Sequence, residues 1–413
     1  MSSSQPKTGD LRGLPRALRL FGKVQSYSWG KVGSASRIAS LVSGAVPEVP
    51  LAEYWIGAHP KGCAEVELPE GKRVPLTDLD VQRSGALGTH LAPSVLPFMV
   101  KVLSVDPTSG LSIQAHPDRE KARALHVIDP LNYPDISHKP EVGIPLSDVT
   151  LLYGLKTVNE IRGVVQRYPE LQGVLPSDLV AQIVSGGANL SQSDVRRGVL
   201  SALLLAKPAE RERVVRAIAD RGLKSSDSPV ELQVFGRLRR RYGDSDVGLL
   251  VVLIMNLISV PPGRAIFIDS NIPHAYLDGD LVEVMACSDN VVRAGLTHKF
   301  KDVETLLGML DYSVGCPELL VPQFKEDGFM HIDLPLREFR VSLLPHGSGR
   351  AEFVAGDSSE VLLSLGTRCT VKMAEVGMSL ELPDGGAAII PSRSGRYEIE
   401  RQDAAVFRVI AGE

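Results

Sequence analysis

From about Leu20 to Thr150 the apolar residues come in short runs and alternations, as in "AEVELP", "PFMVKVLSV" and "LSIQAH". Proline and glycine separate them, a pattern that predicts short β-strands. The texture changes between 151 and 258, where apolar positions recur at helical spacing. In "SDVRRGVLSALLLA" either Ser193 or Asp194 stands where a cap is needed, and "SPVELQVFGRLRRRYG" should end at Gly243. The longest apolar run, "GLLVVLIMNLISV" at 248–260, reads as a buried helix. It falls short of the roughly 20 residues that a membrane span needs. After "VPPG" at 260–263 the β texture returns in "RAIFI" and "LVEVMA", and a last all-β segment runs from about Gln323 to the end.

The helices therefore read as an all-α insertion into, or a side domain on, a mainly β body. The expected division is 1–150 with 259–325 as the β domain carrying the chemistry, 151–258 as a helical domain, and 326–413 as a second β domain. One faint repeat supports paired barrel or jelly-roll units. "GRAIFIDSNIPHAY" from Gly263 aligns with "GAAIIPSRSGRYEI" from Gly386, and Tyr397 or a neighbour falls opposite His274.

Length and composition narrow the function. A chain of 413 residues is too long for one core, so two or three domains are expected. With 44% hydrophobic and 23% charged residues and a net charge of -4, it offers no basic field for nucleic acid and no polybasic membrane patch. The four cysteines, Cys63, Cys287, Cys316 and Cys369, form no CxxC pair, which argues against a disulfide scaffold or a thiolate zinc site and fits a reducing, cytoplasmic compartment. The opening "MSSSQPKTGDLRGLPRALRLFGKV" lacks a signal-peptide core and reads as a disordered tag leading into a first strand.

Three segments carry candidate chemistry. In "LSIQAH" alternation sends Ser112, Gln114 and His116 to one face, Pro117 ends the strand, and Asp118 can cap the helix "REKARALH". In "DISHKPEVGI" Pro140 keeps Lys139 extended, so Lys139 and Glu141 point together while His138 turns elsewhere. In "IPHAYLDGDLVEVMACSDNVVRAGLTHKF" a hairpin turn is expected at Asp278-Gly279, with His274 and Tyr276 sharing a face before it. After it Glu283 is an acid among apolar neighbours that needs a partner or a task. Two histidines, a glutamate and a glutamine thus arrive from three β segments, the donor set of a catalytic ion with open positions. Zinc is the first choice, and manganese or iron is compatible. Lys101, Lys139, Arg293 and Lys299 supply positive charge suited to a phosphate ester. Trp29, Trp55, His59 and His126 read as structural, and Cys287 as buried beside the site and inert.

The blocks "VQSYSWGKVG", "AEYWIGAHPKG", "PFMVKVLSV", "LSIQAHPD", "HKPE", "PHAYLDGD" and "MACSDNVVRAGLTHKF" together resemble the type I phosphomannose isomerases. "GLTHKF" departs from the family pattern at His298, and the helical block and the last ninety residues match only loosely. The resemblance implies two cupin-type barrels, one catalytic and one metal-free, with a helical domain. It implies one zinc ion per chain and interconversion of mannose 6-phosphate and fructose 6-phosphate. Its zinc ligands would be Gln114, His116, Glu141 and His274, and its catalytic arginine Arg293. Tyr276, Glu283, Asp289, Lys299, Lys101, Ser112, His138 and Lys139 fall in blocks that line the family's pocket.

Such an isomerase needs a base to move a proton between adjacent carbons and a way to stabilise an enediol oxyanion. Lys139, Glu283 and His138 are the candidate bases, with His138 also suited to ring opening, while Ser112 and the lysines would hold the phosphate. The competing readings are a metal-dependent cupin dioxygenase and a non-catalytic sugar-binding double cupin. The expected partner is a small sugar phosphate, with neither nucleic acid nor membrane, and the expected state a monomer.

Overall fold

The computed structural model describes residues 17–42, 48–68, 71–78, 96–186, 191–222 and 229–412. The N-terminal tail expected to be a disordered tag falls on residues 1–16, outside the described residues. "PFMVKVLSV" forms strand Phe98–Val105, buried at every position. It lies between Glu53–Gly57 and the long strand His274–Ala286. Such a strand, covered on both faces, reads as a continuous apolar run, and the one charge it buries, Lys101, must be answered from its neighbours.

His274–Ala286 is the axis of this ten-stranded sheet. Its first half pairs with Val149–Leu155 and touches Gln114, and its second half pairs with both Phe98–Val105 and Glu141–Pro145. The hairpin expected at Asp278-Gly279 does not form. The chain runs through it as one strand of 13 residues, with Gly279 at φ 112 and a register shift in the pairing beside it. A turn signal is local, whereas strands on both sides here supply partners that a reversal would forfeit. A Cβ on Gly279 would lie 2.6 Å from the Asp148 carbonyl oxygen, so this bend admits only glycine.

Helices occupy the chain from Val158 to Ile254, and the flanking strands Val149–Leu155 and Met255–Val260 pair with each other, so the helices leave and re-enter one sheet edge. Thr157 and Glu160 form a capping box on Val158–Arg167. Ser191, rather than Ser193 or Asp194, caps Gln192–Leu205, because its hydroxyl accepts the Asp194 N–H. Val230–Tyr242 ends at Gly243 as expected. The run 248–260 is only half helical: Gly248–Ile254 is a fully buried helix, and Met255–Val260 is a strand. Apolar density alone does not separate a buried helix from a buried strand, and the open edge of Val149–Leu155 decides between them here.

A second sheet of eleven strands holds residues 323–411 and also recruits Leu18–Phe21, Glu65–Glu67 and Arg73–Pro75. Leu18–Phe21 pairs with Ala387–Ile390. One core, including Leu20, Ile56, Val100, Val282, Val361, Ile389 and Val409, is shared between the two sheets. The faint repeat has a structural counterpart. Strand Ile266–Ile268 leads through Asn271 at φ 65 into His274–Ala286, and Ala387–Ile390 leads through Arg393 at φ 56 into Arg396–Ala411. Among the described residues no helix is long and apolar enough to cross a membrane.

Gly279→Ala should lower stability by about 1–3 kcal/mol, through its positive φ and the clash with Asp148. Thermal unfolding checks this; an unchanged midpoint would mean that the strand passes this point without the bend.

Candidate metal centre and active site

Strand Ile113–Ala115 pairs with Val292–Gly295 and meets the start of His274–Ala286, so Gln114 lies opposite both Arg293 and His274. Glu141 opens the neighbouring strand Glu141–Pro145. His116 and His274 are fully buried, Glu141 is 2% exposed, and the imidazole centroids lie 5.1 Å apart.

The tautomers follow from the partners. His116 Nδ1–H donates to the Asn290 carbonyl at 2.8 Å, and His274 Nδ1–H to the Ile272 carbonyl at 2.9 Å. A carbonyl can only accept, so each Nδ1 carries the hydrogen, and in the neutral ring Nε2 carries the lone pair. These two atoms have no hydrogen-bond partner, yet they sit 3.3 and 3.4 Å from the two oxygens of Glu141. Burial, with Lys139 second, pushes the His116 pKa down to about 4, so a proton does not fill the gap at neutral pH. Lone pairs of three residues, all within 4.8 Å of one another, face one point with no hydrogen between them. That donor set suits a divalent cation, and Gln114 on the same cavity wall offers an amide oxygen as a fourth donor.

Above these groups lies a cavity of about 420 Å³. Ser112, Lys101, Lys139, Asp289, Arg293 and Lys299 line it, together with Glu141, Gln114 and Glu283. Lys139 Nζ is 3.3 Å from Glu141 Oε1. Lys101 is buried between Glu53 and Glu283, 3.5 Å from each, with its ammonium over the Trp55 ring at 4.8 Å. Burial opposes its charge, but Glu53 and Glu283 outweigh burial and raise its pKa. Glu283, desolvated and repelled by Glu141, has its pKa pushed up to about 8. Burial also works against Asp289, yet His59 Nε2 at 3.2 Å and Lys61 Nζ at 2.8 Å hold its carboxyl well below the usual range. Burial lowers the pKa values of Arg293 and Lys299, and neither forms an ion pair among the described residues; Lys299 lies over the Tyr27 ring at 5.3 Å.

Residues 17–158 match the family described as phosphomannose isomerase type I, catalytic domain. The chain is 35% identical to mannose-6-phosphate isomerase of Mus musculus over 400 residues, covering 91% of this chain and 93% of that one. It is 34% identical to the Homo sapiens enzyme over 421 residues, covering 95% and 98%. The chain belongs to the type I phosphomannose isomerase family. Solved structures agree: a variant of phosphomannose isomerase from Salmonella typhimurium superposes with a TM-score of 0.82 at 25% identity, covering 96% of this chain and 100% of that one. A mannose 6-phosphate isomerase bound with zinc and yttrium gives 0.81 at 25% identity, with the same coverage.

Within this phosphomannose isomerase scaffold, two residues expected in the pocket lie elsewhere. Tyr276 is 1% exposed and packs with Leu103, Ile266 and Leu281; its hydroxyl has no hydrogen-bond partner and does not reach the cavity. Alternation along the strand put Tyr276 on the His274 face, but it could not tell the mouth of the cavity from the packing behind it. His138 turns away from the cavity to Glu338, with Nε2 2.6 Å from its Oε1, and Arg119 Nη2 donates to the same oxygen at 2.7 Å. It joins the segment before Lys139 to the C-terminal sheet, which is no position for a base.

Sequence reasoning passed over Glu53, Lys61 and the Tyr27–Trp29 stack, whose centroids are 5.9 Å apart. A carboxylate inside the apolar block "AEYWIGA" was the signal for Glu53, by the argument already applied to Glu283. His59, read as structural, supports Asp289 from behind. The helical block reaches the cavity through Arg241 and Tyr242, which no local motif announced.

The depressed Asp289 pKa fixes a sign. Its interactions stabilise the fold above the ordinary carboxyl value of 3.8, and that contribution fades as pH falls toward the lower folded value. The stability gap between wild type and Asp289→Asn should therefore be constant from neutral pH to about 4 and shrink below it. Denaturant titrations across that window measure the gap; one that widened on acidification would contradict the pairing.

Proposed function

We propose that this chain is a zinc-dependent aldose–ketose isomerase that interconverts mannose 6-phosphate and fructose 6-phosphate through an enediol. The observation carrying this reading is the pair of buried Nε2 atoms, without hydrogen-bond partners, facing Glu141 beneath a cavity that Arg293 and Lys299 line. His116, Glu141, His274 and Gln114 would hold one zinc ion. When bound, zinc supplies Lewis-acid polarisation of sugar oxygens.

The remaining work falls to the chain's own side chains. Among the described residues Arg293 has no competing carboxylate at ion-pair distance, so its guanidinium can meet the negative charge that develops on the enediol oxygen. The other cations suit the phosphate: Lys299 at the wall, with Ser112 beside it. Proton transfer from C2 to C1 needs one group that takes a proton from one carbon and delivers a proton, in part exchanged with solvent, to the other. Lys139 reaches the cavity next to Glu141, whereas Glu283, raised to about 8, holds its own proton near neutral pH. Lys139, once its ammonium has given up a proton, is the base in this reading, and Glu283 stays at the cavity wall beside Lys101. Two cupin-type jelly rolls, 1–150 with 259–325 and 326–413, flanking a helical domain at 151–258, would frame this chemistry in a monomeric, cytoplasmic protein.

Mannose 6-phosphate turnover, coupled to a fructose 6-phosphate readout, should vanish on chelation and return with zinc. His274→Ala and Glu141→Ala should lose both metal, by elemental analysis, and turnover. Arg293→Ala should lower kcat by about 10²–10³-fold while retaining zinc. Turnover that survives full metal removal would defeat the zinc assignment.

Solvent-exchange labelling at C2 separates the bases. Lys139→Met should abolish incorporation, and Glu283→Gln should retain it with an altered pH profile. The reverse result would transfer the role to Glu283.

A further inference from the structure

One carboxylate outside the cavity ties together both loops that supply the site. Asp135 lies in "NYPDISHKPE", six residues before Glu141. Its Oδ1 accepts the Ser137 N–H at 2.9 Å, the Ser288 hydroxyl at 2.9 Å and the Asn290 amide at 3.1 Å. Its Oδ2 accepts the Asp289 N–H at 2.8 Å. The Asn290 amide also donates to the Asp135 carbonyl at 2.7 Å and to the Ser137 carbonyl at 3.0 Å. Asn290 is fully buried, and its own carbonyl receives His116 Nδ1–H.

We infer that Asp135 is a positioning residue, whose hydrogen bonds to the 288–290 loop aim the Asn290 carbonyl at His116 and so keep the His116 Nε2 lone pair turned toward Glu141. The inference rests on the metal reading above, but it concerns the tautomer of His116 even in the metal-free chain. Asp135 does not line the cavity, which it meets only through the Asp289 backbone, and its carboxylate forms no ion pair among the described residues. Its partners are neutral donors, and the two loops are also joined by the Asn290 amide and the Ser288 hydroxyl, which donate to the Asp135 and Ser137 carbonyls. Without the carboxylate the Asp289 N–H loses its acceptor and the Asn290 amide one of its three, the Asn290 backbone carbonyl is held less firmly against Nδ1, and either ring nitrogen can then carry the proton. The same loss frees the Asp289 backbone, so the acid that His59 and Lys61 hold on the cavity wall shifts with it.

The test compares wild type, Asp135→Ala and Ser288→Ala, with Thr157→Ala as a control that weakens a helix cap elsewhere. Zinc affinity is read by competition with a chromogenic chelator, and the His116 tautomer by long-range proton–nitrogen spectra of zinc-free, histidine-labelled protein. Asp135→Ala should bind zinc about 10- to 100-fold more weakly and lose the Nδ1–H form of His116, whereas Thr157→Ala should change neither. Ser288→Ala, which removes a single donor, should weaken zinc a few-fold and decides the matter should Asp135→Ala not fold. Wild-type affinity and an unchanged tautomer in both variants would overturn the inference. A wild-type chain that binds no zinc would sink the functional reading instead, leaving the tautomer spectra to judge Asp135.

Discussion

Two imidazole lone pairs and a carboxylate held face to face in a dry interior repel one another, and the rest of the site is organised around that unfavourable contact. Each histidine is fixed from behind by a backbone carbonyl, so neither can relieve the repulsion by changing tautomer. Three antiparallel segments hold the groups at 3.3–3.4 Å: Ile113–Ala115, Glu141–Pro145 and His274–Ala286. A small cation between them turns this arrangement from a cost into a gain, which makes the three residues a candidate metal site.

The charges around the centre fall into two kinds. Some are internally answered: Lys101 by Glu53, Asp289 by His59 and Lys61, Lys31 by Asp280 at 2.9 Å. These bonds fix walls. Others, Arg293 and Lys299, are desolvated without a carboxylate at ion-pair distance among the described residues, and burial lowers their pKa values. A half-buried cation that the fold leaves unanswered is poised for an anion from outside, and a sugar phosphate supplies one.

The second sheet shows the same strand–turn–strand geometry put to another use. Tyr397, near the position aligned with His274, donates its hydroxyl to Glu360 at 2.6 Å, and Glu360 takes a two-point pair with Arg408 at 2.7 and 2.9 Å. The acid there is satisfied within the protein, by an arginine whose guanidinium lies over the rings of Phe329 and Phe353. Removing one member of such a pair costs about 3–5 kcal/mol, so the cluster pins this sheet. Because Leu18–Phe21 joins it and the two sheets share one core, that rigidity extends to the sheet bearing the metal centre.

Residue spacing by itself determined the side-by-side placement of Gln114 with His116 and of Lys139 with Glu141. It also determined the Asp118 cap, whose carboxylate accepts the Lys121 N–H at 2.8 Å, and the need of Glu283 for a partner. All follow from the two-residue repeat of a strand, from proline geometry or from the cost of a buried charge, which act over a few residues. Tertiary structure alone decided that the chain continues through Asp278-Gly279 as one bent strand, that Tyr276 packs behind the site, that His138 answers Glu338, and that 248–260 is half strand. In each case the deciding partner lies on another strand or in another sheet, so no local pattern contained it. Burial depth and open sheet edges are properties of the assembled fold, and they settle which of two locally equal choices the backbone takes.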